Sequence, residues 1–227
     1  MRYSLLLLLF FPFLSFSQIG GSDGFSNLQS LASGSEMFRS FDDRFKGVEG
    51  YPTLFEQYVP GKITLSRGRE VVHPLVNYDI FSDELVVRRN NLDVVVSRSM
   101  VKSFVLLNVE DSLYFVKVQF KDGEKFCEEL LKGRLKLYKL NSKSIKQANH
   151  TGAYSSGKVY SQFEESVTYY WQSGESVPVE IKNKKTFVDE LKAAHGVDVS
   201  DFVKDNHINF KDSVDLLKMF THINSLL

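Results

Sequence analysis

Cysteine is almost absent from this chain. Cys127 stands alone, so no internal disulfide can form. The fold must be held by packing, which 227 residues with nineteen Phe and ten Tyr can supply. Cys127 lies in an alternating apolar run and reads as a small buried hydrophobe rather than a nucleophile. An excess of one charge is missing too. Lysine plus arginine and aspartate plus glutamate number 28 each, which removes the electrostatic footprint of a nucleic-acid binder. No stretch after the N-terminus is apolar enough for the ~20-residue span of a membrane helix.

Motifs of catalysis are equally scarce. No GxSxG elbow is present, and "GGSDG" (Gly20 to Gly24) has no lysine and follows no strand, so it is not a phosphate loop. No segment has the alternating oxygen ligands, fixed glycine and later glutamate of an EF-type calcium loop. His73 stands beside Pro74 and His150 lies in a polar stretch, while His195, His207 and His222 are 12 and 15 residues apart. None forms a local ligand pair, so zinc has no specific support, and His195 beside Gly196 reads as a solvated helix end. No cofactor, metal ligand or catalytic residue is nominated, which weighs against an enzyme without excluding residues that converge in space.

What is there begins with an address. Arg2 is followed by "LLLLLFFPFLSFS", about 13 residues with Pro12 inside and small residues at Ser15 and Ser17. That layout predicts a signal peptide over 1–17 cleaved after Ser17, too short and too broken for an anchor. No cysteine follows it, so a lipoprotein anchor is not expected. The expected product is exported, periplasmic or secreted, and 210 of the 227 residues remain.

Residues 18–50 are rich in Gly and Ser and weakly periodic. They predict a flexible arm with a short helix around Leu28–Phe38, and the carboxylates of "FDDRF" (Phe41 to Phe45) read as solvated. From Lys62 the period becomes two. Short β-branched and aromatic runs, "KITLS" through "RLKLYKL", are separated by Arg-Gly, Asn-Asn, Asp-Gly and Lys-Gly turns. Connections this short predict an antiparallel meander of about eight strands that curls or is covered on one face. "KFCEELL" alternates poorly and reads as either a strand or a helical turn. Asn141 to Ser166 reads as a long connection, with a glycosylation pattern at Asn149-His150-Thr151 that matters only in a eukaryotic secretory route. "VTYYWQ" and "VPVEIK" add a hairpin.

After residue 182 the spacing is helical. Phe187, Val188, Leu191 and Ala194 share a stripe closed by Gly196, and Asp198 or Ser200 can cap a short helix carrying Phe202 and Val203. Asp212 can cap a last helix with the stripe Val214, Leu217, Phe220, Ile223. The expected class is therefore α+β, with a curled antiparallel β domain of eight to ten strands over 51–182 and C-terminal helices over 183–227.

The order of motifs resembles a family of uncharacterised exported proteins common in Bacteroidota bacteria. Its "GSPYL"-like segment matches Gly50-Tyr51-Pro52-Thr53-Leu54, and its "GxI" strand matches Gly61-Lys62-Ile63. "YNIYNDEL" matches Asn77 to Leu85, and the "LVDGKxxLL" hairpin matches Leu130 to Leu137. The helical end near "YNSL" matches His222-Ile223-Asn224-Ser225-Leu226. Thr53 and the His222-Ile223 pair depart from the pattern. The resemblance covers residues 50–227 and implies an address and an architecture, with no activity.

Two patches remain as a candidate ligand surface. Arg134, Lys136 and Tyr138 share one strand face and would suit an anionic glycan or lipid headgroup, although lysines there also guard an edge. Tyr169 and Trp171 flank Tyr170, so one face carries two large rings fit for stacking on sugars or for the core. Asn77, Asp79, Asp83 and Glu84 read as a hairpin's solvated face, with Asp83 bonding to its own turn. The expected function is a non-catalytic envelope or secreted module that binds an envelope protein or glycan or is structural. The alternative is a periplasmic protein holding an apolar or glycan ligand inside the curled sheet.

Overall fold

A computed structural model describes residues 38–40, 45, 47–90, 92–108, 111–147 and 160–227. The expected signal peptide, residues 28–37 of the expected helix, most of "FDDRF" and the Asn149 pattern lie outside them. The strands are β1 (Phe38–Ser40), β2 (Val48–Glu49), β3 (Val59–Leu65), β4 (Glu70–Asp79), β5 (Glu84–Arg89) and β6 (Leu92–Val96). They continue as β7 (Val101–Leu107), β8 (Ser112–Phe120), β9 (Gly123–Leu131), β10 (Leu135–Lys146), β11 (Ser161–Ser173) and β12 (Val179–Glu180). Three helices follow: α1 (Lys184–His195), α2 (Ser200–Asp205) and α3 (Ser213–Leu226). All twelve strands belong to one open, curled sheet, more than the eight to ten expected. The two additional strands, β1 and β2, fall in the region read as an arm, and their brevity leaves no periodic signal.

The strand order β1-β6-β5-β4-β3-β7-β8-β9-β10-β11-β12 corrects the simple meander. β7 pairs with β3, not with β6, after a 3-10 turn at Arg98–Met100. So short a link can span three strands only if the sheet curls until β6 approaches the free side of β3. The curl is filled by side chains. Phe104 and Phe115 stack at 4.8 Å, Tyr78 meets both edge-on or tilted, and Phe126 closes the group. Gly61 permits the tightest approach, since a β-carbon there would lie 2.4 Å from Val76 Cγ2 and 2.7 Å from the Val105 carbonyl. Opposite it β4 carries an extra residue: His73, at φ +59°, and Pro74 form a bulge against the single Gly61.

β9 is a strand throughout, which excludes the helical-turn reading. It fails to alternate because both of its faces are covered and its pairing with β10 slips by one residue beside Leu137. Cys127 there is fully buried, and burial pushes its thiol up to about 12. β10 and β11 pair in unbroken register from Leu135–Ser173 to Lys146–Gln162, so both ends of the expected long connection are strand.

The helices cover one face of the β10–β11 ribbon. α1 begins on Asn183, whose side chain accepts from the Thr186 amide, and ends on Gly196 at φ +69°. Phe187, Val188 and Leu191 are buried as expected, but Ala194 is exposed. In α3 the buried stripe is Leu216, Met219, Phe220 and Ile223, while Val214 is 71% exposed. The last helix holds two overlapping apolar stripes, and the i, i+3, i+4, i+7 set wins because it faces the sheet. Asn224 ties α3 down: it accepts from Leu135 N–H and donates to Leu135 C=O, both at 2.9 Å. Among the described residues no helix is long and apolar enough to cross a membrane.

Candidate functional site

The carboxylate cluster from Asn77 to Glu84 is not a solvated face. Asn77 and Asp79 are 1% and 0% exposed, because residues 51–57 run antiparallel beside the end of β4 and bury them. Asn77 Oδ1 accepts from Phe55 N–H, and its amide donates to the carbonyls of Phe55 and Gln57. Asp79 Oδ1 accepts from Phe81 and Ser82 N–H, making the turn bonds expected of Asp83. Asp83 instead reaches across the curl. Its Oδ1 accepts from the Tyr78 hydroxyl at 2.6 Å and Phe126 N–H at 3.2 Å, and its Oδ2 pairs with Arg98 at 2.9 Å. Burial pushes both aspartates up from their ordinary value, against the pull of the bonds they accept.

Lys143 completes this seam from β10. Its Nζ donates to the carbonyls of Tyr51 and Thr53 at 3.1 and 2.7 Å and lies 4.3 Å from the Tyr51 ring centre. Burial draws its ammonium down from the ordinary lysine value, opposed by Glu165 and Asp79. The seam uses its charges to clamp segments together. No group of three or more metal-ligating side chains is assembled among the described residues.

A recess opens on the other face of the sheet. This open recess of about 540 Å³ is lined by Phe120 and Tyr170, the Val177–Glu180 segment, and Thr186 and Glu190 of α1. Phe120 and Tyr170 meet edge to face at 5.0 Å. Burial raises the Tyr170 hydroxyl above its ordinary value, with Glu180 adding to it. Lys121 and Lys182 face Asp122, Glu180 and Glu190 around the rim, so the recess carries both signs. A smaller hollow of about 260 Å³ continues past Val177 over Tyr138, bordered by Lys117, Lys136 and Gln172.

The sequence-predicted surface is divided by the fold. Tyr169 and Trp171 are 8% and 5% exposed, packed under the helices, with Phe187 edge-on to the indole at 5.9 Å. These rings are core, the use their apolar neighbours favoured. Lys136 and Tyr138 do border the hollow, Tyr138 through a 3.0 Å bond from its hydroxyl to Gln172 Oε1. Arg134 is exposed at the β9–β10 turn and does not line the recess. The ring that sequence reasoning missed is Tyr170. Its only signal was strict alternation between Tyr169 and Trp171, which places it on the face away from the helices.

His195 lies edge-on to Trp171 at 6.2 Å, and His222 stacks on Phe202 at 4.0 Å, so both act as packing rings. Compared with models of known families, with curated proteins and with solved structures, the chain matches none.

Proposed function

We propose that this chain is an exported, non-catalytic β-rich interaction module of a bacterial envelope or secretome, engaging a partner through the outer face of β8 to β12. The export rests on the N-terminal sequence and on the resemblance to exported Bacteroidota proteins. The observation that carries the binding role is the Phe120–Tyr170 recess, an apolar floor rimmed by both charges and bordered on one side by α1. Such a floor with a polar rim is what protein-binding surfaces offer. The ionisable groups of the interior are engaged in holding β4, β9 and β10 together, which leaves them poorly placed for chemistry. The reading in which a ligand sits inside the curl has Phe104, Phe115, Phe126 and Tyr78 against it, since they fill that space.

A photo-crosslinking residue at Val179 tests the proposal in the cells that make the protein. A recurrent adduct from Val179, absent from the same probe at Val214 on α3 and lost with Tyr170→Ala, is expected. Identical adduct patterns at both positions overturn it.

A further inference from the structure

β11 is an edge strand over only part of its length. β12 covers it at Tyr170 and Trp171, and Ile181 N–H then donates to Tyr169 C=O. β2 covers it at Ser161 and Gln162, running parallel. Both covering segments turn off the edge, at Asn183 into α1 and at Gly50, whose φ is +90°. Between them residues 163–168 pair with no outer strand among the described residues. Six residues of strand at ~3.3 Å each leave a slot of ~20 Å.

The direction of the free backbone groups follows from the register. Tyr169 C=O points outward to Ile181, and the β10–β11 ladder has no bulge. Residues 163, 165 and 167 therefore also turn their N–H and C=O outward. The side chains beside the slot are mostly solvent-facing: Glu164, Glu165, Ser166 and Val167 are all exposed.

We propose that this slot is a strand-acceptor site that takes an extended, basic segment of a partner protein. The proposal rests on the reading of the chain as an interaction module and gives that module its partner class. Main-chain bonds to Glu165 and Val167 supply the pairing, as in other strand-addition complexes. Charge selects the occupant. Glu164 and Glu165 lie in the slot, and Glu180 and Glu49 stand exposed at its two ends. Of the lysines that reach the central pair, Lys146 makes an exposed contact of little strength at 3.5 Å, and Lys143, held by the Tyr51 and Thr53 carbonyls, comes only within 3.9 Å of Glu165. The same carboxylates argue against a second copy of this chain, because edge-to-edge pairing would set glutamates beside glutamates.

The test titrates the purified protein with two fluorescent octapeptides, acetyl-(Lys-Val)4-amide and acetyl-(Glu-Val)4-amide, by anisotropy. The lysine peptide is expected to bind at least tenfold tighter and to slow hydrogen exchange at the Glu165 and Val167 amides. Val167→Pro removes one outward N–H without touching the β10 ladder and should weaken binding at least tenfold. Glu164→Lys, exposed and outside the core, should weaken it about fivefold and covers the case in which the proline variant does not fold.

Equal binding of both peptides, or binding unchanged by Val167→Pro in a folded protein, overturns the proposal. So does protection of both amides in the free protein, which would mean the chain covers its own edge. A dimer that Val167→Pro converts to monomer likewise overturns it in favour of a second copy. The Val179 adduct separates the two readings. If it persists in Val167→Pro while no peptide binds, the recess stands and the slot falls. If peptides bind and no adduct forms, the reverse holds.

Discussion

The Tyr78 hydroxyl donates to Asp83 Oδ1 at 2.6 Å, joining the floor of the curl to the β4–β5 turn. The same carboxylate holds Phe126 N–H on β9 and Arg98 in the turn before β7. One side chain thus connects three parts of the sheet that are distant in sequence. Asp83→Ala leaves the Tyr78 hydroxyl only its longer contact to the Phe126 carbonyl at 3.2 Å and leaves Arg98 without its carboxylate. We expect a loss of about 2–4 kcal/mol in urea unfolding, and of about 1 kcal/mol for Tyr78→Phe. A loss below that of Tyr78→Phe would show that Asp83 is not the hub.

Asp79 makes stability depend on pH with an unusual sign. Burial raises its folded pKa above the unfolded value, helped by Glu84. A folded state that holds its proton more tightly gains stability as pH falls through the folded pKa, and the gain is complete below the unfolded one. Asp79→Asn keeps an acceptor for Phe81 and Ser82 N–H but cannot ionise. The variant should therefore compare best with the parent at neutral pH and lose ground to it as pH falls into the carboxylate range. Urea midpoints at a series of pH values check this, and a difference that grows in the opposite direction contradicts it.

Gly61 is the point of closest approach between β3, β4 and β7. A methyl group added there meets a backbone carbonyl as well as Val76, so neighbouring strands must separate. Gly61→Ala should cost about 1–3 kcal/mol, read as a lowered urea midpoint. Unchanged stability would mean that the curl relaxes freely at this point.

Asn224 acts as a one-residue strand mimic against Leu135. Asn224→Ala removes both bonds and leaves part-buried backbone groups without partners, for an expected loss of about 1–3 kcal/mol. Hydrogen exchange at the Leu135 amide should accelerate by more than the global loss explains. Gly133 lies against the same side chain, a β-carbon there falling 2.7 Å from Asn224 Nδ2, so Gly133→Ala should reproduce the effect.

Much of the architecture was legible. Among the described residues, nine of the strands and all three helices announce themselves by period and punctuation, because each buries an apolar face, while β9, covered on both faces, left strand and helical turn both open. β1 and β2 do not, being two or three residues long in a Gly- and Ser-rich stretch. The jump from β6 to β7 was invisible for a different reason. A short link normally signals neighbouring strands, and only the three-dimensional curl makes β3 the neighbour instead. Asn77 and Asp79 misled because polarity suggests water. The segment that covers them, 51–57, has no periodicity to betray that it pairs beside β4. At the recess, the two rings Tyr169 and Trp171 outweighed Tyr170, and the helices took the face with more apolar area.

The resembling motifs acquire a physical sense from these contacts. Gly50 to Leu54 lies against Asn77 to Leu85, with Leu54 N–H donating to Tyr78 C=O and Ile80 N–H to Pro52 C=O. Leu130 to Leu137 meets His222 to Leu226 through Asn224. These motif pairs are two seams of one fold.

The position of β3 has a consequence for how the chain is made. One neighbour, β4, follows it immediately, while the other, β7, emerges about forty residues later. Until then Ile63 and Leu65 sit on a central strand with an open side, flanked by completed hairpins that cannot shield it. That interval is the stage at which a growing or threading chain exposes its most adhesive edge. A chaperone that holds nascent residues 59–65 would find its task ended by the arrival of Val101 to Leu107.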